Sequence, residues 1–207
     1  NVALEVSGSL NDKKLLATTH YKIGLTYSGI GQTESAIQAH LTSKKIFEEA
    51  NLQKDLVYIL SDLGSLYFHL QNYEEAKKYA EQSIALADSL RNSSAVAGAW
   101  PDNFGVAGAL STLGFISQRH GSLMQAVEYL QQSLALYREL DGGTSKFGLY
   151  VADKLSALGG VYNLLGDNGQ ALFYLNQALE VARKTPYPNT TASVLNNLGV
   201  LYLDQED

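Results

Sequence analysis

The sequence predicts an all-α fold made of repeated helix pairs, and three observations lead to that prediction. A short phrase, Leu-Gly-x-x-Tyr followed after eight residues by Ala, recurs along the chain. A turn signal rich in Gly, Asn, Asp and Ser separates the Tyr from the Ala in each copy. The Ala always stands twelve residues after the Gly, whereas the spacing between copies varies. A fixed unit that recurs in this way is typical of stacked helix pairs.

The phrase occurs five times, with its Gly at positions 24, 64, 114, 159 and 199. The second and fourth copies are complete. The first has Ile23 in place of Leu, the third has Ser117 in place of Tyr, and the fifth reaches the last printed residue before its Ala. Gly and Ala permit two helices to cross closely. We therefore expect each copy to place its phrase Gly in a helix A and its Ala in a helix B. In the tight turn between them, a Gly ends helix A and a Ser, Asn or Asp starts helix B.

Taken in order, the chain divides into repeats of unequal length. We predict the end of a preceding repeat, then four repeats and the first helix of a fifth, at 1–11, 12–51, 52–101, 102–145, 146–189 and 190–207. The expected A helices are about 12–29, 54–70, 103–119, 146–165 and 190 to the end, with Asn11 and Asp12 capping the first. The expected B helices are about 33–50, 73–90, 123–140 and 168–184. Inserts are expected at 91–101, which contains Trp100, and at 141–145. We expect the chain to be a fragment of a longer protein.

Composition excludes several classes of function. The net charge is −6, so nucleic acid is not an expected partner. There is no Cys, and the four His do not share a ligand spacing with a carboxylate, so no metal and no cofactor are expected. No apolar run is long enough for a membrane span. No nucleophile motif or phosphate-binding loop is present, so we predict that the protein is not an enzyme. The absence of Cys fits a reducing compartment, and we predict a cytoplasmic location.

The Leu-Gly-x-x-Tyr of helix A and the Ala of helix B resemble the tetratricopeptide repeat family, although the early Trp of that pattern is missing. The longer period is similar to that of kinesin light chains, of spindle-orientation adaptors and of bacterial proteins that join such arrays to CHAT protease-like domains. The resemblance covers nearly the whole chain. It implies an α-α superhelix, or solenoid, in which the A helices line a concave groove that binds a peptide or a partner domain.

On that placement, the groove residues are those that flank the phrase on the A helices. The predicted set is Tyr21, Tyr58, Ser61, Ser65, Phe68, His69, Ser111, Phe115, Gln118, Arg119, Asp153, Ser156 and Asn163, with Leu25, Ser28 and Asn196 as further members. Rings give rigid contact area, and Ser, Asn and Gln give adaptable hydrogen bonds. The alternative is that some of these residues, Leu25 and Phe115 above all, pack between adjacent A helices.

Two functions follow from these features. The first is a protein-interaction scaffold that binds a peptide or a partner domain in the groove. The second is a regulatory or sensor arm of a multidomain enzyme or transcription regulator. Trp100 either anchors a partner or covers apolar surface beside the insert. The fifth A helix lacks its partner, so we also expect self-association through an exposed face formed by Val194, Leu198 and Leu201.

Overall fold

The structure, a computed structural model, describes the backbone of residues 2–93 and 103–203 and the side chains of 12–92 and 103–203. The described residues form helices and turns and contain no β-strand, which confirms the all-α helical repeat fold. The helices are α1 (Val2–Gly29), α2 (Thr33–Glu49), α3 (Gln53–His69), α4 (Tyr73–Ser93), α5 (Asn103–Arg119), α6 (Leu123–Asp141), α7 (Gly148–Leu164), α8 (Asn168–Ala182) and α9 (Pro188–Leu203).

The helices belong to two compact units, residues 1–112 and 113–207, and the division falls inside α5. In the first unit α1 packs on α2, α2 on α3, and α3 on α4. Its core contains small residues at the helix crossings, such as Ala17 and Ala36, and larger ones between them, such as Phe47, Ile59 and Leu63. This is the packing expected for helices that approach closely at small residues.

The second unit repeats this arrangement. Helix α6 packs on α7, α7 on α8, and α9 packs on both α7 and α8. Leu130, Leu155, Leu158 and Leu175 are almost completely buried in it. In each unit a helix pair therefore packs on the next helix along the chain, the pair of α1 and α2 on α3 in the first and the pair of α7 and α8 on α9 in the second.

The tight turn within each repeat depends on one residue with a left-handed backbone. That residue is Gly31, Gly121 or Gly166 in three turns, with φ between +75° and +76°, and Gln71, with φ +58°, in the other. The next N–H donates back to the carbonyl of the phrase Tyr, or of Ser117 in the third copy, at 2.9–3.0 Å. Gly adopts this conformation without the steric cost that other residues meet, which explains its place in the turn signal.

The expected side-chain caps form in only some of the helices. Asn72 accepts from the N–H of Glu75 at 3.2 Å, and Asp167 accepts from that of Gln170 at 3.0 Å. Ser122, which the turn signal predicts as a cap, makes no side-chain cap hydrogen bond. The main-chain bonds of the turn are present in all four cases, so the turn does not depend on a capping side chain.

Most predicted helix bounds agree with the structure to within a few residues, but the first does not. The predicted break at Asn11 and Asp12 is wrong, because α1 continues from Val2 to Gly29. Asn and Asp cost a helix interior only about 0.7 kcal/mol each relative to Ala, and neither Pro nor a turn-forming pair of Gly stands there to stop the helix. The assignment of 1–11 to a preceding repeat, like the other repeat ranges, stays a prediction.

The two inserts have different outcomes. Residues 94–102, including Trp100, lie outside the described part of the chain. The insert at 141–145 forms a compact turn after α6, with φ of +51° at Gly142 and +79° at Gly143. The Asp141 carboxylate accepts from the N–H of Phe147 at 2.7 Å and from that of Ser145 at 3.2 Å, so this segment connects α6 to α7 through hydrogen bonds to one side chain.

Candidate functional site

The phrase Gly is the point of closest approach between the two helices of a repeat. A Cβ added at Gly159 would lie 2.6 Å from Leu175 Cγ, and one added at Gly114 would lie 2.9 Å from Leu130 Cγ. At Gly64 the nearest atom is the main-chain oxygen of Ala76, at 3.2 Å. These contacts explain why the sequence repeats Gly at this position.

Two further contacts recur between helices A and B. The phrase Tyr stacks on a Tyr of helix B in two repeats, with ring centroids 5.4 Å apart for Tyr67 and Tyr79 and 5.3 Å apart for Tyr162 and Tyr174. Buried Ser hydroxyls of helix B donate to carbonyls of helix A, from Ser43 to Ala17 and from Ser83 to Val57, both at 2.7 Å. These residues define the joint, and the exposed residues on the other side of the A helices form the candidate site.

The first unit brings together predicted groove residues on α1 and α3. Tyr21, Tyr58, Ser65 and Phe68 are partly exposed, and Leu25, Ser28 and His69 are exposed. The Tyr21 hydroxyl donates to the carboxylate of Asp62 at 2.9 Å, which joins the two helices across this surface. We call the surface formed by Tyr21, Leu25, Ser28, Tyr58, Asp62, Ser65, Phe68 and His69 the α1–α3 face.

Three predicted groove residues at equivalent positions are almost fully covered. Ser61, Ser111 and Ser156 are each 5% exposed. Ser156 accepts a hydrogen bond from the Asn197 amide of α9 at 2.9 Å. This contact joins two adjacent A helices, as in the alternative interpretation that some of the predicted groove residues pack between helices. In these positions the hydroxyls present little surface to a partner, and a role for them in binding stays a prediction.

The second unit carries the remaining predicted residues on α5, α7 and α9. Arg119, Asp153 and Asn196 are exposed, and Phe115, Gln118 and Asn163 are partly exposed. Lys154, which is not among the residues predicted from the sequence, lies beside Asp153 and Phe115. Its side chain is buried, and its ammonium lies 2.7 Å from an Asp153 carboxylate oxygen and 4.8 Å from the centre of the Phe115 ring.

A signal for Lys154 was present in the sequence. The position five residues before the phrase Gly holds Ile59, Ala109 and Val194 in three of the other repeats and Thr19 in the first, so a buried Lys there departs from a mostly apolar pattern. A cation over a ring face is attracted by the negative face of the ring. Asp153, Lys154 and Phe115 therefore form one connected polar and aromatic group, in which the Asp153 side chain is 56% exposed and that of Lys154 only 7%.

Two titratable groups lie beside Tyr21, the partly buried Asp62 and the buried His40. Burial raises the pKa of Asp62 from its usual 3.8 to about 6, while the hydrogen bond from Tyr21 acts in the opposite direction. His40 lies 5.2 Å from the Tyr21 ring, centroid to centroid, and burial lowers its pKa to about 4. Both His40 ring nitrogens are buried without a hydrogen-bond partner among the described residues. His40 is therefore neutral near pH 7, and the Asp62 carboxyl titrates close to neutrality.

The predicted self-association face is wrong. Val194, Leu198 and Leu201 are buried, because α9 uses them to pack on α7 and α8. The apolar side chains that α9 exposes are Leu195, Val200, Tyr202 and Leu203. A Cβ at Gly199 would meet no atom within 4 Å, unlike those at Gly64, Gly114 and Gly159. Self-association itself stays a prediction.

No cluster of three His, Asp or Glu side chains that could hold a metal ion occurs among the described residues. Likewise, none of the helices within the described ranges combines the length and the apolar character needed to cross a membrane. The geometry that remains is that of helix pairs joined at small residues, with aromatic and polar side chains on their exposed faces.

Residues 57–90 and residues 150–207 each match the tetratricopeptide repeat family. The chain contains tetratricopeptide repeats over these two stretches. Outer dynein arm-docking complex subunit 4 of Xenopus laevis is 32% identical over 79 residues, which are 38% of this chain and 15% of that protein. The chain therefore spans less than a fifth of the length of this relative.

Solved structures show the same tetratricopeptide-like arrangement. BtubC (BKLC) from P. vanneervenii superposes with a TM-score of 0.65 at 17% identity, over 96% of this chain and 85% of that one. Aspartyl phosphate phosphatase F from Bacillus subtilis gives 0.73 at 15% identity, over 94% and 48%. The quorum sensor NprR from B. thuringiensis gives 0.68 at 22% identity, over 90% and 48%. At these identities the likeness shows the fold, and the chain spans about half the length of the last two proteins.

Proposed function

We propose that this tetratricopeptide repeat chain is a protein-interaction module that binds a peptide or a partner domain on the α1–α3 face. The supporting observation is the segregation of side chains in the first unit. The B helices carry the ion pairs Lys44–Glu48, Lys77–Glu81 and Lys78–Glu75 on their surface. The α1–α3 face instead presents partly exposed rings, small polar groups, Leu25 and one carboxyl, that of Asp62. One ion pair, Lys14–Asp55, also joins α1 to α3, but neither of its residues belongs to this face.

This composition fits peptide binding for physical reasons. Tyr58 and Phe68 add contact area at a low cost in side-chain entropy, because each has only two rotatable side-chain bonds. Tyr58 lies 6.1 Å from the Phe104 ring, and Phe68 lies 5.6 Å from the Tyr73 ring, centroid to centroid. Neighbouring rings hold both side chains in place, so binding a partner would order few additional groups.

The second unit supplies a separate candidate surface of different chemistry. Its residues are Phe115, Gln118, Arg119, Asp153 and Asn163, of which Arg119 and Asp153 are exposed and oppositely charged. The α1–α3 face instead has one carboxyl, that of Asp62, whose pKa is raised. We expect this surface to bind more polar segments, with Arg119 as its exposed cation.

Selection of peptides from a random library on the purified chain, followed by affinity measurement on variants, tests the proposal. Phe68→Ala and Tyr58→Ala should each weaken the selected peptides about tenfold or more, as expected for central aromatic contacts. Phe173→Ala is the matched control, because Phe173 is 57% exposed on helix α8, away from the A helices. Equal effects of Phe68→Ala and Phe173→Ala, or no effect of either, would exclude the α1–α3 face as the binding site.

A second candidate is a regulatory or sensor arm of a multidomain protein, with its active domain outside the chain. Two of the similar structures carry the names of a quorum sensor and an aspartyl phosphate phosphatase, and the chain spans about half of each. The tetratricopeptide repeat fold is generally non-catalytic, which is consistent with an active domain that lies outside the repeats. In the full-length protein, Phe68→Ala should then change the activity or output of the other domain, whereas a simple scaffold would lose only its partner. A cytoplasmic location stays a prediction in either case.

A further inference from the structure

The first repeat has an open pocket where two other repeats have a stacked pair of rings. A pocket of about 420 Å³ lies beside the end of α1 and the first half of α2. It is lined by Tyr27, Glu34, Ser35, Gln38, Ala39 and Thr42. It shares no residue with the α1–α3 face, so it is a second candidate site on the same unit.

The sequence explains why the pocket is open. In the second and fourth repeats, the Tyr fifteen residues after the phrase Gly covers the ring of the phrase Tyr, with interplanar angles of 6° and 8°. In the first repeat, the same position holds Ala39. A methyl group replaces a phenol ring there, and the ring of Tyr27 has no ring partner among the described residues.

The stacked pairs in the other repeats show which shape of group fits against this Tyr. Tyr79 and Tyr174 are flat groups that lie nearly parallel to the ring of the phrase Tyr, at 5.4 Å and 5.3 Å between centroids. The main-chain closure of the turn is the same, with the equivalent hydrogen bond of 2.9 Å from the Gln32 N–H to the Tyr27 carbonyl. A planar group can therefore occupy the space beside Tyr27 without a change in the helices.

The charge of the lining decides between planar groups. Glu34 is the one charged residue of the pocket, and it forms no ion pair among the described residues. Ser35, Gln38 and Thr42 are polar and uncharged, so most of the lining favours hydrogen-bond donors over an apolar ring. A guanidinium is planar, stacks on aromatic faces, and pairs with a carboxylate through two N–H groups. A Lys ammonium carries the charge without the flat shape, and a phenyl ring has the shape without the charge.

We propose that this pocket binds an arginine side chain of a partner protein, stacked on Tyr27 and paired with the Glu34 carboxylate. The site would add specificity for a basic partner segment to an acidic chain of net charge −6. Its position at the turn of the first repeat makes it independent of the side chains that line the α1–α3 face.

The test starts with peptides selected from a random library on the unmodified chain. Each is measured again on Ala39→Tyr, which fills the pocket with the ring that the second and fourth repeats already carry. Peptides bound at the pocket should lose at least tenfold in affinity on Ala39→Tyr and on Glu34→Gln. Replacement of their arginine by lysine should cost a similar factor, because lysine cannot stack as a plane. Ala85→Tyr is the matched control, since Ala85 is exposed on α4 and that variant adds the same ring away from the pocket.

Three results would overturn the proposal. One is that no selected peptide loses affinity on Ala39→Tyr. Another is that the pocket-dependent peptides need Phe or Tyr rather than arginine. The third is that Glu34→Gln leaves their affinity unchanged, a result that can be obtained even if Ala39→Tyr fails to fold. Phe68→Ala should not weaken these peptides, so failure of the pocket and failure of the α1–α3 face can be told apart.

Discussion

The close approach at Gly159 gives the sharpest test of the repeat joint. Gly159 and Gly160 are neighbours in α7, in the interior of the same helix. A Cβ at Gly159 would lie 2.6 Å from Leu175 Cγ and 3.2 Å from the main-chain oxygen of Ala171, whereas a Cβ at Gly160 would meet no atom within 4 Å. The two Gly→Ala variants therefore add the same methyl group to the same helix, once against a packed partner and once into open space.

The expected free energies have opposite signs. Ala is favoured over Gly in a helix interior by about 0.5–1 kcal/mol, so Gly160→Ala should raise the free energy of unfolding by that amount. Gly159→Ala gains the same stabilisation from helix propensity, but it forces a methyl group into a packed helix crossing, which costs about 1–3 kcal/mol. We expect a net loss of roughly 1–2 kcal/mol for Gly159→Ala. Urea denaturation followed by circular dichroism measures both values on the purified chain.

A double-mutant cycle with Leu175→Ala tests whether the contact with Leu175 causes the loss of stability in Gly159→Ala. The second repeat already pairs Gly64 with the smaller Ala80, so the joint accepts a small residue on helix B. Leu175→Ala should relieve the Gly159→Ala clash, with a coupling energy of about 0.5–3 kcal/mol. If Gly159→Ala stabilised the chain as much as Gly160→Ala, or if the coupling were zero, the close approach of α7 and α8 would be refuted.

Three further predictions concern single side chains. Gln71 has φ +58° in a turn where the other repeats place Gly, so Gln71→Gly should raise the free energy of unfolding by about 0.5–1 kcal/mol in urea denaturation; a loss would contradict the turn geometry. Burial raises the pKa of Asp62 from 3.8 to about 6, so its contribution to stability is fully present below about pH 4 and is lost as the pH rises through 6. The stability gained from Asp62→Asn should therefore grow by up to about 3 kcal/mol between pH 4 and pH 8, while His40 titrates alike in both proteins; a pH-independent difference would show that Asp62 is not desolvated. Lys154→Met keeps the buried stem and should change stability by less than about 1 kcal/mol, whereas Lys154→Ala should cost about 2–3 kcal/mol; equal losses would show that the ammonium contacts dominate.

The helix pairs could be predicted from the sequence because the phrase has a direct steric cause. Gly64, Gly114 and Gly159 stand where the backbone of one helix meets the next, and a larger residue does not fit. The turns were predictable for a similar reason, since Gly31, Gly121 and Gly166 need a left-handed backbone. Constraints of this kind exclude nearly all residue types, so they leave a visible trace in one sequence.

The residues that complete the joint and the candidate sites are harder to predict from a single sequence. The position sixteen residues after the phrase Gly holds His40, Ala80, Leu130 and Leu175, four side chains that fill different volumes at the same crossing. The pocket beside Tyr27 depends on the absence of a ring at Ala39. Alignment of the repeats on the phrase Gly shows that absence, but only the stacked pairs of Tyr67 with Tyr79 and of Tyr162 with Tyr174 show that a ring there would cover the phrase Tyr. The continuous helix α1 was also hard to predict from the sequence, because Asn11 and Asp12 favour a helix start without requiring one.

The turns within the repeats bear on how such a chain can change over generations. Each closes through a main-chain hydrogen bond inside its own repeat, as from Asn72 to Tyr67 or from Asp167 to Tyr162. The donating residue is Gln, Asn, Ser or Asp in the four copies, so drift at that position leaves the closure intact. A gene segment encoding one repeat carries everything that its own joint requires. Duplication, loss or exchange of such a segment would then add or remove a binding face without requiring a second, compensating mutation in the joint.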